Sequence, residues 1–163
     1  MRVTIIADAS HCPTTKVAGY GFWIASDRGK KSGDGIFKEK LINSNSAEMM
    51  SVANAFHIAL KEGYILEGDQ VLIQCDCLAA LNAFQGKRIG LNEEETSAVE
   101  HVNQLTERFS LDVTYRHVKG HTKGEDRRSK SNILCDKKAK ANMRRARCLH
   151  YIKQVKEVLR DEH

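Results

Sequence analysis

The chain has 163 residues and a mass of 18.3 kDa, a single domain's worth of polypeptide. With 41% hydrophobic and 29% charged residues, a formal charge of +5 and a mean hydropathy of −0.47, it falls outside the disordered and fibrous classes. No run of about 18 apolar residues reads as a membrane span, and the charge at Asp8 arrives too early for a secretory leader. Val3 to Ala7 is a short β-branched run, read as a buried strand that Asp8 closes. After a polar turn, residues 17–25 read as a second strand and 31–42 as a third, the three forming an antiparallel meander. The period then changes. Met49, Val52, Ala53, Phe56, Ala59 and Leu60 recur at helical spacing, with Gly63 as a stop. Val71 to Gln74 is a fourth strand, Leu78 to Phe84 a short helix, and Glu93 to Phe109 a longer one with acids in its first turn. Leu111 to Val118 is a fifth strand. A polar loop over 120–130 leads to a helix capped by Ser131 or Asn132 and running to about Arg147, and an amphipathic helix over 149–160 ends the series. This order predicts an α/β fold. Its mixed five-stranded sheet has three antiparallel strands then two parallel ones, with helices on both faces and an extra C-terminal helix.

Charge is unevenly placed. Residues 1–114 carry 11 basic and 15 acidic side chains, net −4, whereas residues 115–160 carry 15 basic and 4 acidic, net +11. A faintly acidic body with a strongly basic final third is the electrostatic footprint expected of a polyanion-binding protein. The five cysteines are odd in number and scattered, which argues against a disulfide framework and for a reducing, cytoplasmic setting. Their spacing matches no zinc module. His117 and His121 do not share a helix turn, so a zinc pair is rejected there too. Cys75 and Cys77 are read as packing residues, since a disulfide two positions apart is strained. Trp23 is read as packing on the sheet.

Four acids stand where elements end or begin. Asp8 closes the first strand and Asp76 the fourth. If those strands are parallel neighbours, both carboxylates emerge at the sheet edge where open α/β sheets build their sites. Glu48 lies in the first turn of the first helix, and Asp136 lies early in the fourth. Such a cluster is costly without counter-charge, and hard divalent cations supply it. Each acid also has a plainer reading: Glu48 as the partner of Asn45 in a capping box, Asp8 and Asp76 as turn formers, Asp136 as a helix acid near the macrodipole's positive end.

Taken in order, these residues resemble those of type 1 ribonuclease H, over roughly residues 3–146. The matching pieces are Asp8-Ala9-Ser10, Gly19-Tyr20-Gly21, Asn45-Ser46-Ala47-Glu48-Met49, Asp76-Cys77, Val118-Lys119-Gly120-His121 and Cys135-Asp136-Lys137-Lys138-Ala139. The resemblance implies a ribonuclease H-like fold in a domain spanning 1–147, with 148–163 as a basic helical extension. It implies a soluble endonuclease that cuts the RNA strand of an RNA–DNA hybrid and acts as a monomer. Asp8, Glu48, Asp76 and Asp136 match the family's metal ligands for two Mg²⁺ ions, with Mn²⁺ as an alternative ion. Water attacks the phosphorus, leaving 5′-phosphate and 3′-hydroxyl ends. His121 matches the loop histidine that aids proton transfer or product release. Two residue groups match the family's minor-groove contacts: Ser10, His11 and Cys12, and Asn43, Ser44 and Asn45. The rival readings are a DNA nuclease of the same fold and a hybrid-binding module without catalysis.

The chain also departs from the family pattern. Leu78 stands where a polar groove-reading side chain is common, and Ala9 where glycine is. The basic protrusion of many cellular members shrinks to residues 85–92, with Lys87 and Arg88 its only cations. The loop after His121 is heavily charged and carries Lys123. Arg144, Arg145 and Arg147, with Lys153, Lys156 and Arg160, are therefore expected to take over the grip on the hybrid.

Overall fold

The computed structural model describes residues 1–118 and 127–162. The elements are β1 (Arg2–His11), β2 (Ala18–Ser26), β3 (Gly29–Ile36), α1 (Ser44–Lys61), β4 (Gln70–Cys75), α2 (Leu78–Phe84), α3 (Glu93–Arg108), β5 (Asp112–His117) and α4 (Arg127–Asp161). The five strands form one sheet in the order β3-β2-β1-β4-β5. The β1–β2 and β2–β3 pairs are antiparallel, and the β1–β4 and β4–β5 pairs are parallel. This is the predicted mixed sheet. The β1–β4 ladder runs from Arg2–Gln70 to Ile6–Gln74, so two residues further along Asp8 and Asp76 come level with one another.

Strand alternation sends Val3, Ile5 and Ala7 of β1 and Val71, Ile73 and Cys75 of β4 into one core with Met49, Val52 and Phe56 of α1. Burying Phe56 alone is worth about 1.5–3 kcal/mol. The α1 helix also packs on α3, while α4 packs on β1, β2 and β3. Asn43 starts α1 by accepting a 2.8 Å bond from the Ser46 amide, and Gly63 follows its end at φ +80°. At α3, Asn92 and Glu95 form a reciprocal capping box, and Asn92 Nδ2 donates to Ser46 Oγ at 2.8 Å, tying the start of α3 to the start of α1.

Three boundaries differ from the sequence expectation. The first strand continues through Asp8 to His11, so Asp8 lies within the sheet and not at its end. The third strand stops at Ile36, because Leu41 turns inward to pack with Ala18 and Ala47. The last two predicted helices are one: no glycine or proline interrupts residues 127–161, and α4 passes the 147/148 boundary unbroken. A shift in the apolar pattern near Cys148 had the look of a break but is a change of face.

Candidate active site

Asp8 sits on β1 with 2% of its surface exposed. The Ala9 amide donates to its Oδ1 at 2.9 Å, its buried Oδ2 takes no hydrogen bond from an amide or hydroxyl among the described residues, and its carboxyl hydrogen-bonds with that of Glu48. A turn former would be solvated, so the plainer reading of Asp8 does not hold. Burial first, then the charges of Asp76 and Asp136, push its carboxyl up to about 7.

Glu48 lies on α1. The cap of that helix is Asn43, whose third-turn-position partner is Ser46, so Glu48 takes no part in a capping box. Burial and then the charges of Asp8 and Asp76 raise its carboxyl well above the ordinary carboxylate range. Glu48, Cys75 and Asp76 each bring one potential ligand atom within 4.8 Å of the others. Cys75 is a donor here and not a ligand. Burial holds its thiol well above the usual value, so it stays protonated, with Sγ 4.0 Å from Glu48 Oε2. Asp76 follows β4, and its carbonyl is 3.0 Å from His117 Nε2.

Asp136 reaches the cluster because α4 lies directly on the sheet. A Cβ on Gly21 would stand 2.6 Å from the Cys135 carbonyl oxygen, and one on Gly19 would stand 2.5 Å from the Met143 amide nitrogen. Gly21 is the cross-strand partner of Asp8. The two glycines therefore let the helix backbone approach the strand, and Asp136, next after Cys135, comes to the carboxylate edge. It lies well inside the helix rather than near its first turn, so the macrodipole reading does not account for it. Lys140 Nζ pairs with Asp136 Oδ2 at 3.0 Å. The i,i+4 spacing that forecasts this pair was present in the sequence.

These observations test the site for a metal. A buried carboxylate oxygen that no amide or hydroxyl satisfies, in a group of four carboxylates where burial and then mutual repulsion raise Asp8 and Glu48, belongs to an oxygen donor set suited to a hard divalent cation.

The remaining predicted residues fall into three groups. Around the cluster, Asn43 and Ser44 are exposed at the start of α1, and Asn45 Oδ1 accepts a 3.6 Å contact from Cys77 Sγ, beside Asp76. Ser10 is half-buried, and His11 Nε2 lies 2.8 Å from the Leu41 carbonyl oxygen. Cys12 is buried, with its thiol lowered to about 7 chiefly by the Thr15 hydroxyl. Leu78 is exposed. Among the cations, Lys87, Arg144 and Arg145 are exposed and Arg147 is half-buried, whereas Arg88 is engaged inward, with Nη1 2.9 Å from Glu95 Oε2 and 3.2 Å from the Ala79 carbonyl oxygen. His121 and Lys123 lie outside the described residues.

Comparison with known proteins follows the geometry. The family model described as RNase H matches residues 1–144. A search of curated proteins finds no match. Among solved structures, RNase H1 from the halophilic archaeon Halobacterium salinarum is similar with a TM-score of 0.68 at 17% identity, over 87% of this chain and 97% of that one. The N-terminal RNase H domain of a Mycobacterium tuberculosis protein gives 0.67 at 17% identity, over 91% and 98%. LC11-RNase H1, solved in complex with an RNA/DNA hybrid, gives 0.68 at 12% identity, over 88% and 98%. At these identities the likeness is one of fold.

Proposed function

The chain belongs to the ribonuclease H family, and from that premise we propose that it is an endonuclease hydrolysing the RNA strand of RNA–DNA hybrids. The observation that carries this reading is the buried carboxyl of Asp8, hydrogen-bonded with that of Glu48 and raised by the charges of Asp76 and Asp136, with an Oδ2 that no amide or hydroxyl satisfies. Those four residues would hold Mg²⁺, with Mn²⁺ accepted by the same oxygen donors. Ions held there would supply charge stabilisation for an in-line phosphodiester hydrolysis leaving 5′-phosphate and 3′-hydroxyl ends.

The chain's own residues prepare that chemistry. Asp8 is buried and Glu48 half-buried beside it, which limits competing water at the carboxylate edge. The Cys75 thiol and the Ala9 amide orient Glu48 and Asp8. Lys140 offsets the charge of Asp136 until a cation takes its place. Asn43, Ser44 and Asn45 surround the start of the helix that carries Glu48, a position suited to testing for a 2′-hydroxyl, the group that separates RNA from DNA. Ser10 and His11 extend the same polar surface. Lys87, Arg144, Arg145 and Arg147 supply cations for the phosphates, and His121 is proposed as the proton carrier. One structural relative was solved with an RNA/DNA hybrid, which supports that class of substrate here. The cytoplasmic setting rests on five free cysteines, three of them buried.

The test is cleavage of an end-labelled RNA–DNA hybrid, beside DNA and RNA duplexes, with Mg²⁺ and with chelator. Metal-dependent cutting of the hybrid's RNA strand to 5′-phosphate ends is the expected result. Cutting of DNA duplex in its place points to a DNA nuclease, and binding without cutting to a module that has lost the chemistry.

A further inference from the structure

Two faces of α4 have opposite tasks. Along its first part Cys135, Ala139, Asn142 and Ala146 are buried, where the helix packs on the sheet. Continued at the same alternating four- and three-residue steps, that row becomes Leu149, Lys153, Lys156 and Arg160, polar but for Leu149. Of the apolar residues past Arg147, Leu149 lies in that row, whereas Cys148, Ile152, Val155 and Leu159, flanked by Tyr151 and Val158, form a second one. At ~100° per residue this second row lies about half a turn around the axis from the first. It cannot fold back as a continuation of the surface that grips the sheet. Tyr151, Ile152, Val155, Val158 and Leu159 are accordingly between 46% and 59% exposed, a contiguous apolar stripe of the kind that marks an interaction surface.

Charge selects the occupant. The segment 145–162 holds five cations, Arg145, Arg147, Lys153, Lys156 and Arg160, and three anions, Glu157, Asp161 and Glu162. The stripe itself carries Arg145 at one end and Glu162 at the other, so that face presents no positive excess to an anionic membrane surface or a phosphate backbone. The stripe has instead the alternating three- and four-residue steps of a coiled-coil seam. The steps run Arg145, Cys148, Ile152, Val155, Leu159, Glu162, with a cation at one end and an anion at the other. Against a second copy running antiparallel, Arg145 meets Glu162, Cys148 meets Leu159 and Ile152 meets Val155, with every pairing repeated by the two-fold axis. A parallel pair would set Arg145 on Arg145 and Glu162 on Glu162.

We propose that the chain forms a homodimer by antiparallel pairing of the 145–162 segments of α4 about a two-fold axis. This replaces the monomer expected from the sequence. It also assigns Arg145 to the interface, leaving Arg144 and Arg147 for nucleic acid. A seam of ~27 Å is short beside a standard interface, so the pairing is weak and concentration-dependent.

The test is sedimentation equilibrium of the full chain across the micromolar range. A monomer–dimer equilibrium is expected. Ile152→Asp should weaken it by at least about tenfold while leaving hybrid cleavage, and the melting temperature measured where the chain is monomeric, unchanged, since Ile152 touches neither core nor site. Arg145→Glu should weaken it and Arg145→Glu with Glu162→Arg should restore it. Register is read with diamide as the oxidant: Leu159→Cys should form an interchain disulfide with the native Cys148 of the second copy, and the unaltered chain should not. A monomer throughout the range overturns the proposal, as does a Cys148–Cys148 disulfide in the unaltered chain, which reports a parallel pair. Binding of the monomer to phosphatidylserine vesicles, abolished by Ile152→Asp, would overturn it in favour of a membrane surface.

Discussion

Asp8 and Gly21 are cross-strand partners on β1 and β2, and the α4 backbone fills the space that a side chain on Gly21 would need. The closest atom is the Cys135 carbonyl oxygen, 2.6 Å from an added Cβ, with Lys138 Cβ next at 3.1 Å. Backbone cannot swing aside as a flexible side chain can, so Gly21→Ala must push α4 outward and carry Asp136 away from Asp8. Overpacking of this kind costs about 1–3 kcal/mol. The expected result is a lower denaturation midpoint together with a raised Mg²⁺ requirement for hybrid cleavage. A variant of native metal requirement would show that Asp136 does not depend on this approach.

The sequence made the sheet legible because its strands are β-branched runs with clear punctuation, and because α1 changes the period at Met49. The four carboxylates were legible because each stands close to a boundary that the sequence pattern suggests, although Asp8 and Asp136 lie inside the elements that form. What was not legible depends on approach between elements distant in the chain. Nothing local shows that Gly21 admits Cys135, or that the Cys75 thiol lies against Glu48. The role of Asn43 as the cap of α1 was obscured by Asn45, which stands three residues before Glu48 and mimics a capping pair. The unbroken course of α4 was missed because a helix that changes its partnered face looks, in one dimension, like two helices.

Asp76→Asn removes a charged oxygen donor while keeping the shape of the side chain. Even the outer-shell partners of a metal are worth about 10–100-fold each, so loss of this ligand should lower Mg²⁺-dependent cleavage by about 100-fold or more. Hybrid affinity, measured by fluorescence anisotropy in chelator, should stay the same or tighten slightly, since one negative charge has left the phosphate-facing edge. Undiminished cleavage would remove Asp76 from the metal site.

The raised carboxyls of Asp8 and Glu48 predict how stability varies with pH. Unfolded, the two titrate near ~3.9 and ~4.3. Folded, Asp8 titrates at about 7 and Glu48 well above the ordinary value. Between those limits the folded chain binds more protons than the unfolded one, so stability falls as pH rises through the window. Asp69 works in the opposite sense. Arg28 holds its carboxyl far below the usual range, so its contribution is lost only on acidification below the unfolded value and is constant above about pH 5. His101, lowered by burial and by His57, gains stability with rising pH near neutrality. The measurement is therefore the difference between the native chain and an Asp8→Asn, Glu48→Gln variant, which retains His101. In chelator, the native chain should lose several degrees of melting temperature relative to the variant between about pH 5 and pH 7.5. Mg²⁺ should restore most of that loss at the upper end, because it binds only the folded state. A flat difference would mean that the two carboxylates are not held together in the folded chain.

Lys140 competes for the carboxylate that a metal would use. Its Nζ lies 3.0 Å from Asp136 Oδ2 one helical turn away, with both side chains partly exposed. An exposed i,i+4 pair contributes about 0.3–0.5 kcal/mol to stability, so Lys140→Ala should change the denaturation midpoint very little. Its effect on metal binding should be larger in proportion. A cation arriving at Asp136 must displace the ammonium, and removing the ammonium should lower the Mg²⁺ concentration for half-maximal cleavage by about two- to five-fold, the equivalent of ~0.4–1 kcal/mol. A magnesium titration of hybrid cleavage at fixed ionic strength measures this directly. A higher requirement in the variant would reverse the assignment, since Lys140 would then be orienting Asp136 for the metal.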